Sequence, residues 1–517
     1  MFKTKIIKFS NNIIYFLALI ILIFLFINNL FVNAYMNYSS AEQTIFNFNN
    51  LFLVILMIFL IILLSLIIKK FYNKKNYKYI KIVLFSLFII FGLIWIFLSK
   101  SSVNKAADSE IIFNISNSIL NKDYSAFLKG KYLYNFPYQI GLVFFEQILI
   151  LLFKNNALLV FQLIALILIV ISLECLIRIV NIITNNKYKD NIFIVIFLCL
   201  CFNLIFYCSF LYGNAISISL SIIAIYCYLL YITNTKEILN LILSILFISL
   251  SYMIKSTCLI TIIALIIITF LYALKNNKYK KLIYIPILLL LFQLPLRLTF
   301  LYYQNIGDVK INSGIPKIGF VVMGTTSDKN TARAEGWYNA WHINNYLKLD
   351  CNEDKYKKVA NKVLKENLNN FVYNPKYTVN FFYKKVTSMW NNSTFQSLWS
   401  TNPTSNNKFI QSLYKGNLNN IYYFIMHVFN IIVYFGSVIY LLMNKKITDY
   451  KLLPYLIFIG GFIFYLFWEG KAQYTFQFFL LLIPFASIGW YEFINKIKLK
   501  ELSKKIFSIE RNQKWLK

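Results

Sequence analysis

Long apolar runs separated by short polar connections dominate the chain. The first three cover residues 13–32, 51–68 and 82–98. Others follow at 142–153, 157–177, 192–210, 216–232, 238–254, 259–274 and 282–300, and the last at 421–443, 452–468 and 476–488. A helix of ~20 residues at 1.5 Å per residue crosses the hydrocarbon. Backbone groups in lipid must be satisfied within the segment, which favours helices over open sheets. The pattern predicts an all-α polytopic membrane protein of about 11–13 transmembrane helices. The first run could be a signal sequence, but no clean small-residue cleavage site follows, so it is expected to be the first span.

Two polar stretches interrupt the pattern. They divide the chain into N-terminal spans (1–98), a first large outer loop with a juxtamembrane helix (99–141), a transmembrane core (142–300), an extracytoplasmic segment (301–420), C-terminal spans (421–490) and a basic cytoplasmic tail (491–517). The first loop is too rich in Tyr, Phe, Leu and Ile for a disordered linker, and a long ordered loop of this kind is usually functional. We expect it to form one wall of an active site.

The formal charge is +32. Much of it lies in short connections and tails: Lys3, Lys5 and Lys8, the stretches 69–81 and 275–281, Lys445 and Lys446, and 496–517. This is the positive-inside pattern, with anionic lipid as the partner. No nucleic-acid module accompanies it, so nucleic acid is not expected as a partner. Counting every run as one crossing would put the segment 301–420 on the same side as the lysine-rich connections. The charge pattern opposes this, so one segment between 142 and 254 is expected to be re-entrant, broken or wrongly divided. The abundance of Lys and Asn beside Ile, Phe and Tyr fits an AT-rich bacterial genome.

Seven cysteines and two histidines bound the chemistry. Six cysteines lie in or beside apolar runs, and Cys351 alone lies in a clearly polar region, so no disulfide framework is expected. Two histidines give poor support to a histidine metal site or a serine triad. No phosphate-binding loop or dinucleotide fingerprint is present. No cofactor is required, and a divalent cation is left open.

The candidate residues are charges and rings near run ends. Asp108 precedes Ile111, Ile112, Ile115 and Ile119, which repeat at helical spacing, so a short amphipathic helix on the membrane surface is expected. Asp at such a start is either an N-cap or a general base at the water–membrane boundary. Glu110 and Asp123 are rivals for the second role. The block 130–141, with Tyr134, Pro137, Tyr138 and Gln139, is either an interfacial belt or a rim for sugar faces. Glu174 sits four residues from Arg178, a structural pair, while Glu146 has no obvious local partner. Lys255 and Arg297 are either snorkelling anchors or holders of a lipid-linked phosphate. Arg333, Trp337 and His342 mark the long polar segment, and most of its tryptophans suit a domain core as well as carbohydrate. Glu469 and Lys471 form a compact polar turn before the last span.

The order of these blocks resembles a known family. A juxtamembrane Asp is followed by NKDYSAF and GKYLYNFPYQIGL, then many spans, then GWYN and WNNSTFQSLW, then FWEGKAQYTFQFFLLLIPFASIG. This resembles bacterial membrane glycosyltransferases of the GT-C superfamily, the group of protein O-mannosyltransferases and aminoarabinose transferases. The resemblance runs from about residue 104 to residue 490, and the aromatic-proline and WEGKAQY blocks are its specific parts. It implies inverting transfer of a sugar from a polyprenyl-phosphate donor to a cell-wall or surface glycan or lipid, on the outer face of the cell membrane. By position it gives Asp108 the general-base role. Glu110, Tyr134, Tyr138, Gln139, Lys255, Arg297, Arg333, Trp337, Glu469 and Lys471 are then candidate substrate contacts. The chain departs from the simplest form of the family in carrying two spans before the one that precedes the Asp loop. Two rival readings share the spans. A flippase of lipid-linked saccharides would carry charges within several spans and little outer domain, and a polymerase would show Arg- and His-rich loops. Both features are sparse here.

Overall fold

The computed structural model describes residues 2–37, 42–100, 108–233, 237–327, 333–398, 407–445 and 447–497. It is an all-α polytopic membrane protein apart from one small hairpin. Helix α1 (Phe2–Phe31) runs directly into β1 (Val32–Asn37), which pairs antiparallel with β2 (Gln43–Phe48) from Val32↔Phe48 to Asn37↔Gln43. Val32, Ala34 and Met36 point inward and alternate with half-buried Asn33, Tyr35 and Asn37. That two-residue period is hidden in the sequence, because it spans six residues at the end of an apolar run. Asn49 ties the hairpin to α1 by donating to the carbonyls of Asn29 (2.7 Å) and Leu30 (2.9 Å), which the helix end leaves unpaired.

Helices α2 (Leu51–Phe71) and α3 (Tyr77–Ser99) are long spans, and α2 buries only Val54, Ser65 and Leu66. Helix α4 (Asp108–Leu120) has the expected amphipathic form. It buries Ile112, Ile115 and Ile119 with Ser109 and Ser116, and exposes Ile111. A single turn, α5 (Tyr132–Asn135), leads to α6 (Ile140–Phe153) and α7 (Ala157–Ile183). Glu146 on α6 is buried and accepts from Ser116 of α4 at 3.3 Å, which ties the two helices together.

The run 142–153, expected to be a short span, forms α6, and its neighbours at both ends meet the same turn of the chain. Just before α6, Gln139 donates to Tyr212, and early in α7, Gln162 donates to the carbonyl of Ser209. Ser209 and Tyr212 are three residues apart, so α6 begins and ends at the same end of the bundle. Helix α7 then crosses alone, and Glu174 near its far end pairs with Lys81 (3.1 Å) and, as expected, with Arg178 (2.9 Å).

Next come α8 (Ile192–Leu200) and α9 (Asn203–Tyr207), two halves of one broken passage. Asn203 fills the break, donating to the Ser393 carbonyl at 2.9 Å and accepting from Ser397 at 3.2 Å. The passages α10 (Asn214–Ile232), α11 (Glu237–Ile254), α12 (Leu259–Asn276) and the pair α13 (Tyr284–Leu291) and α14 (Leu294–Gly307) follow. Then come α15 (Ile318–Gly324), α16 (Trp341–Lys348), α17 (Glu353–Tyr373), α18 (Pro375–Trp390) and α19 (Lys408–Tyr414), and finally the spans α20 (Asn417–Met443), α21 (Leu453–Phe467) and α22 (Ala472–Lys496). Eleven helical stretches among the described residues are long and apolar enough to cross a membrane.

With α6 lying at one end, the two ends of the bundle sort by charge. Lysine-rich connections meet at the first end: Lys275 pairs with Asp449 at 2.8 Å, Lys3 donates to Tyr279 at 3.2 Å, and Tyr72 donates to the Asp190 carbonyl at 2.6 Å. The hairpin, α4, Lys255, α15 to α17 and the turn after α21 gather at the other. A satellite core of Ile315, Val322, Tyr346, Cys351, Tyr356 and Ala360 holds that outer part together. Cys351 is therefore buried, although its polar surroundings suggested exposure.

Two close approaches need glycine. A Cβ on Gly489 would lie 1.9 Å from the Gly436 carbonyl, so α22 and α20 touch backbone to backbone, as small residues allow in membranes. A Cβ on Gly324 would lie 2.2 Å from the Phe467 carbonyl, so α15 presses on the turn after α21. The block that follows α18, expected in the outer segment, sinks into the bundle: residues 391–398 are all buried, and Asn391 donates to the Val32 carbonyl at 2.7 Å. Trp399 and the tail from residue 498 lie outside the described residues.

Candidate functional site

A cleft of about 280 Å³ opens at the end of the bundle opposite the lysine-rich connections. Asp108 lies on its rim as the first residue of α4, with an exposed side chain. A relay behind Asp108 fixes its direction. Gln139 Nε2 donates to Tyr212 Oη at 2.6 Å, and Tyr212 Oη donates to Asp108 Oδ2 at 3.1 Å. Tyr212 belongs to the tight turn before α10, where Gly213 adopts φ +72°. This is the break at 211–214 visible in the apolar pattern.

The opposite wall carries the charges. Glu42, in the turn of the hairpin, is nearly buried and pairs with Lys471 and with Arg333 Nε, the latter at 3.2 Å. Both cations also lie near the ring of Tyr338, at 5.1 Å for Lys471 and 5.5 Å for Arg333. Glu469 is 5% exposed, and its Oε1 makes no hydrogen bond among the described residues. Burial pushes its carboxyl up to about 7, against the pull of Lys471. His342 lines the cleft beside Phe320 and Phe136, and burial lowers its imidazole to about 4, so it is neutral at pH 7.

Lys255 stands behind the cleft. Its ammonium lies 4.8 Å from the Tyr212 ring and 5.5 Å from the Tyr474 ring, and it donates to Asn214. Burial lowers it to about 7, while Asp108 and Glu469 pull the other way. Tyr138, Phe210 and Tyr474 complete the aromatic walls.

The cleft thus brings together Asp108, Tyr138, Arg333, Glu469 and Lys471, with Gln139 and Lys255 directly behind. Five candidates stand elsewhere. Glu110 faces solvent on α4. Tyr134 packs on the satellite core. Arg297 is exposed on α14 and holds Gln293 at 3.1 Å. Trp337 is 1% exposed and donates to Ser388 at 2.8 Å, a core position. Asp123 caps a turn by accepting from the Ser125 N–H at 2.9 Å. Glu42, Tyr212 and Tyr338 escaped the sequence reading. Glu42 is a lone acid in a short polar turn, which reads as solvated, and a tyrosine at a run end reads as interfacial. No group of three His, Cys, Asp or Glu side chains suited to a metal ion converges among the described residues, so a divalent cation has no protein ligand set there.

Chemically, the cleft offers an exposed carboxylate as proton acceptor, paired cations for an oxyanion, a buried carboxyl with an unused oxygen, and flat aromatic walls. A family profile described as a conserved hypothetical integral membrane protein matches residues 2–493. The chain belongs to that family. No curated protein and no solved structure matches it. The family description agrees with the many spans and adds nothing about chemistry.

Proposed function

We propose that the protein is a membrane glycosyltransferase that moves a sugar from a polyprenyl-phosphate donor to a cell-wall or surface glycan or lipid acceptor. The observation that carries this reading is the meeting of Asp108 with Arg333 and Lys471 in one cleft where the spans end. A lipid-anchored donor needs its phosphate held at headgroup depth, and a transfer to a hydroxyl needs a base at the same depth. The cleft lies at the end away from the lysine-rich connections, which supports a site on the outer face. An outer site has no access to cytoplasmic nucleotide sugars, which favours the lipid-linked donor.

In this reading Asp108 takes the proton of the acceptor hydroxyl as its oxygen attacks the anomeric carbon. The bond from that carbon to the phosphate oxygen breaks, and the phosphate leaves with the electron pair. Arg333 and Lys471 stabilise the growing charge, and the anomeric configuration inverts. Tyr212 orients the base, and the aromatic walls take the sugar faces.

The test compares the surface glycans of a deletion strain carrying either the wild-type gene or Asp108→Asn. The asparagine variant is expected to insert and fold normally and to leave the glycan unmodified. Full modification by that variant would remove Asp108 from the base role. Identical glycans in the deletion strain and its parent would remove the glycosyltransferase reading itself.

A further inference from the structure

The ion-pair arrangement around Glu42 is not needed for a simple phosphate clamp. Two cations alone would bind an oxyanion more tightly than two cations that already share a carboxylate. Yet Glu42 is 4% exposed, with one oxygen toward Lys471 and the other toward Arg333. A carboxylate so buried and doubly paired cannot be a solvated loop charge.

Neither cation is exhausted by this contact. Arg333 meets Glu42 through Nε, and its terminal nitrogens make no hydrogen bond among the described residues. Lys471 has Glu42 as its only polar partner there and keeps two further N–H donors. Both lie over the Tyr338 ring, and all three side chains line the cleft. A ligand oxyanion can therefore bind without displacing Glu42. What it meets is a site of two positive charges and one negative, a net charge of one.

That net charge distinguishes the two lipids of the proposed reaction. The sugar-linked donor is a phosphodiester with one negative charge. The lipid left after transfer is a monoester, which carries about −1.5 to −2 at pH 7. We propose that Glu42 is a specificity-determining residue that lowers the preference of this site for the more highly charged monoester over the singly charged phosphodiester. The inference rests on the polyprenyl-phosphate reading above. Repulsion from the Glu42 carboxylate weakens the hold on the monoester as it forms, so the product leaves and a fresh donor enters. The other charges around the cleft, Asp108, Glu469 and Lys255, also set the potential at the phosphate, and the substitution of Glu42 alone leaves them in place.

The experiment uses the full chain in lipid nanodiscs and two probes without sugar. One is a short-chain prenyl phosphate and the other is its methyl ester, which differ by the second phosphate charge. Calorimetry gives the ratio of their affinities. Glu42→Gln is expected to shift the ratio toward the monoester by about tenfold, the effect of one charge at close range in a partly screened site. Lys471→Gln is expected to shift it the other way by a similar factor, which supplies the test without Glu42 if the first variant does not fold. An unchanged ratio in both variants, with binding still dependent on Arg333 and Lys471, would overturn the role of Glu42 and leave the donor reading standing. Equal weakening of both probes by Glu42→Gln would reduce Glu42 to a brace for the cations. Failure of wild type to bind either probe would overturn the donor reading and this inference with it.

Discussion

Glu469 offers a direct test of the cleft's electrostatics that needs no knowledge of the substrate. Its carboxyl is 5% exposed, has an oxygen without a hydrogen bond among the described residues, and is pushed up to about 7 by burial. A glutamate in the unfolded chain titrates near 4.5. Between those values the folded protein holds a proton that the unfolded chain has released. Stability therefore falls as pH rises from about 4.5 to about 7 and is level above. The shift corresponds to about 3 kcal/mol at ~1.4 kcal/mol per pH unit.

Glu469→Gln keeps the shape and removes the titration. The variant is expected to match wild type near pH 4.5 and to exceed it by about 3 kcal/mol at pH 8. Unfolding in mixed micelles, followed by tryptophan fluorescence at a series of pH values, measures the difference. Comparing the variant with wild type at each pH cancels the titrations of groups that do not sense Glu469, whereas Lys255 and Lys385, whose amines Glu469 raises, shift with it. A glutamine variant that is less stable than wild type at pH 8 would refute the reasoning. It would mean that Lys471 and Lys255 hold the carboxylate ionised. The expected outcome also implies that evolution has kept a destabilising group, which is common where a side chain serves a ligand rather than the fold.

Two further perturbations probe the relay and the bundle. Tyr212→Phe removes the hydroxyl that joins Gln139 to Asp108, a hydrogen bond to a charged group worth about 1.5–3 kcal/mol. Glycan transfer in isolated membranes is expected to fall about tenfold or more, with folded yield retained. Gly489→Ala places a methyl group where only 1.9 Å separates it from the Gly436 carbonyl, so α20 and α22 must part. Overpacking of this kind costs about 1–3 kcal/mol and is expected to lower the unfolding midpoint in detergent.

Most of the spans were legible in the sequence because lipid imposes a simple rule on length and polarity. The basic connections were legible for the same reason, and they pointed to an irregular segment between 142 and 254, where the helices break at 154–156 and again between α8 and α9. Which segment it was could not be read. Hydropathy reports only that α6 is apolar: one side packs on α4, α7 and α14, while Ile148, Leu151, Leu152 and Phe153 are exposed. The hairpin was hidden because six alternating residues are too few to stand out beside a thirty-residue helix.

In the site, the charges drew notice because charge is rare in this chain. Glu469 and Lys471 stand out beside apolar runs and Asp108 heads an amphipathic pattern, whereas Glu42 sits in a short polar turn without such a signal. Tryptophans misled in the opposite way. Trp337 lies in a polar motif, yet its indole is spent on Ser388 in the core. Arg297 interrupts an apolar run but faces outward, and only packing could distinguish it from Lys255.

Lys385 explains why the charged wall of the cleft holds its shape. Helices α15 and α21 both end beneath it, and a helix end leaves carbonyls unpaired with a partial negative charge. Lys385 is fully buried and donates to the carbonyls of Gly324, Leu466 (3.0 Å) and Trp468 (2.9 Å), so one ammonium serves both helix ends. Burial lowers its amine to about 7, while the three carbonyls favour the charged form. The turn carrying Glu469 and Lys471 starts at the last of these carbonyls and is further fixed by the Glu469 N–H to Phe320 carbonyl bond at 3.0 Å. Phe320 in turn stacks on Trp468 with the rings 4° from parallel. Lys471 therefore stands on a turn anchored to two helix ends. A site that stabilises charge as it develops depends on this kind of preorganisation, since donors already in place need not reorganise when the charge appears.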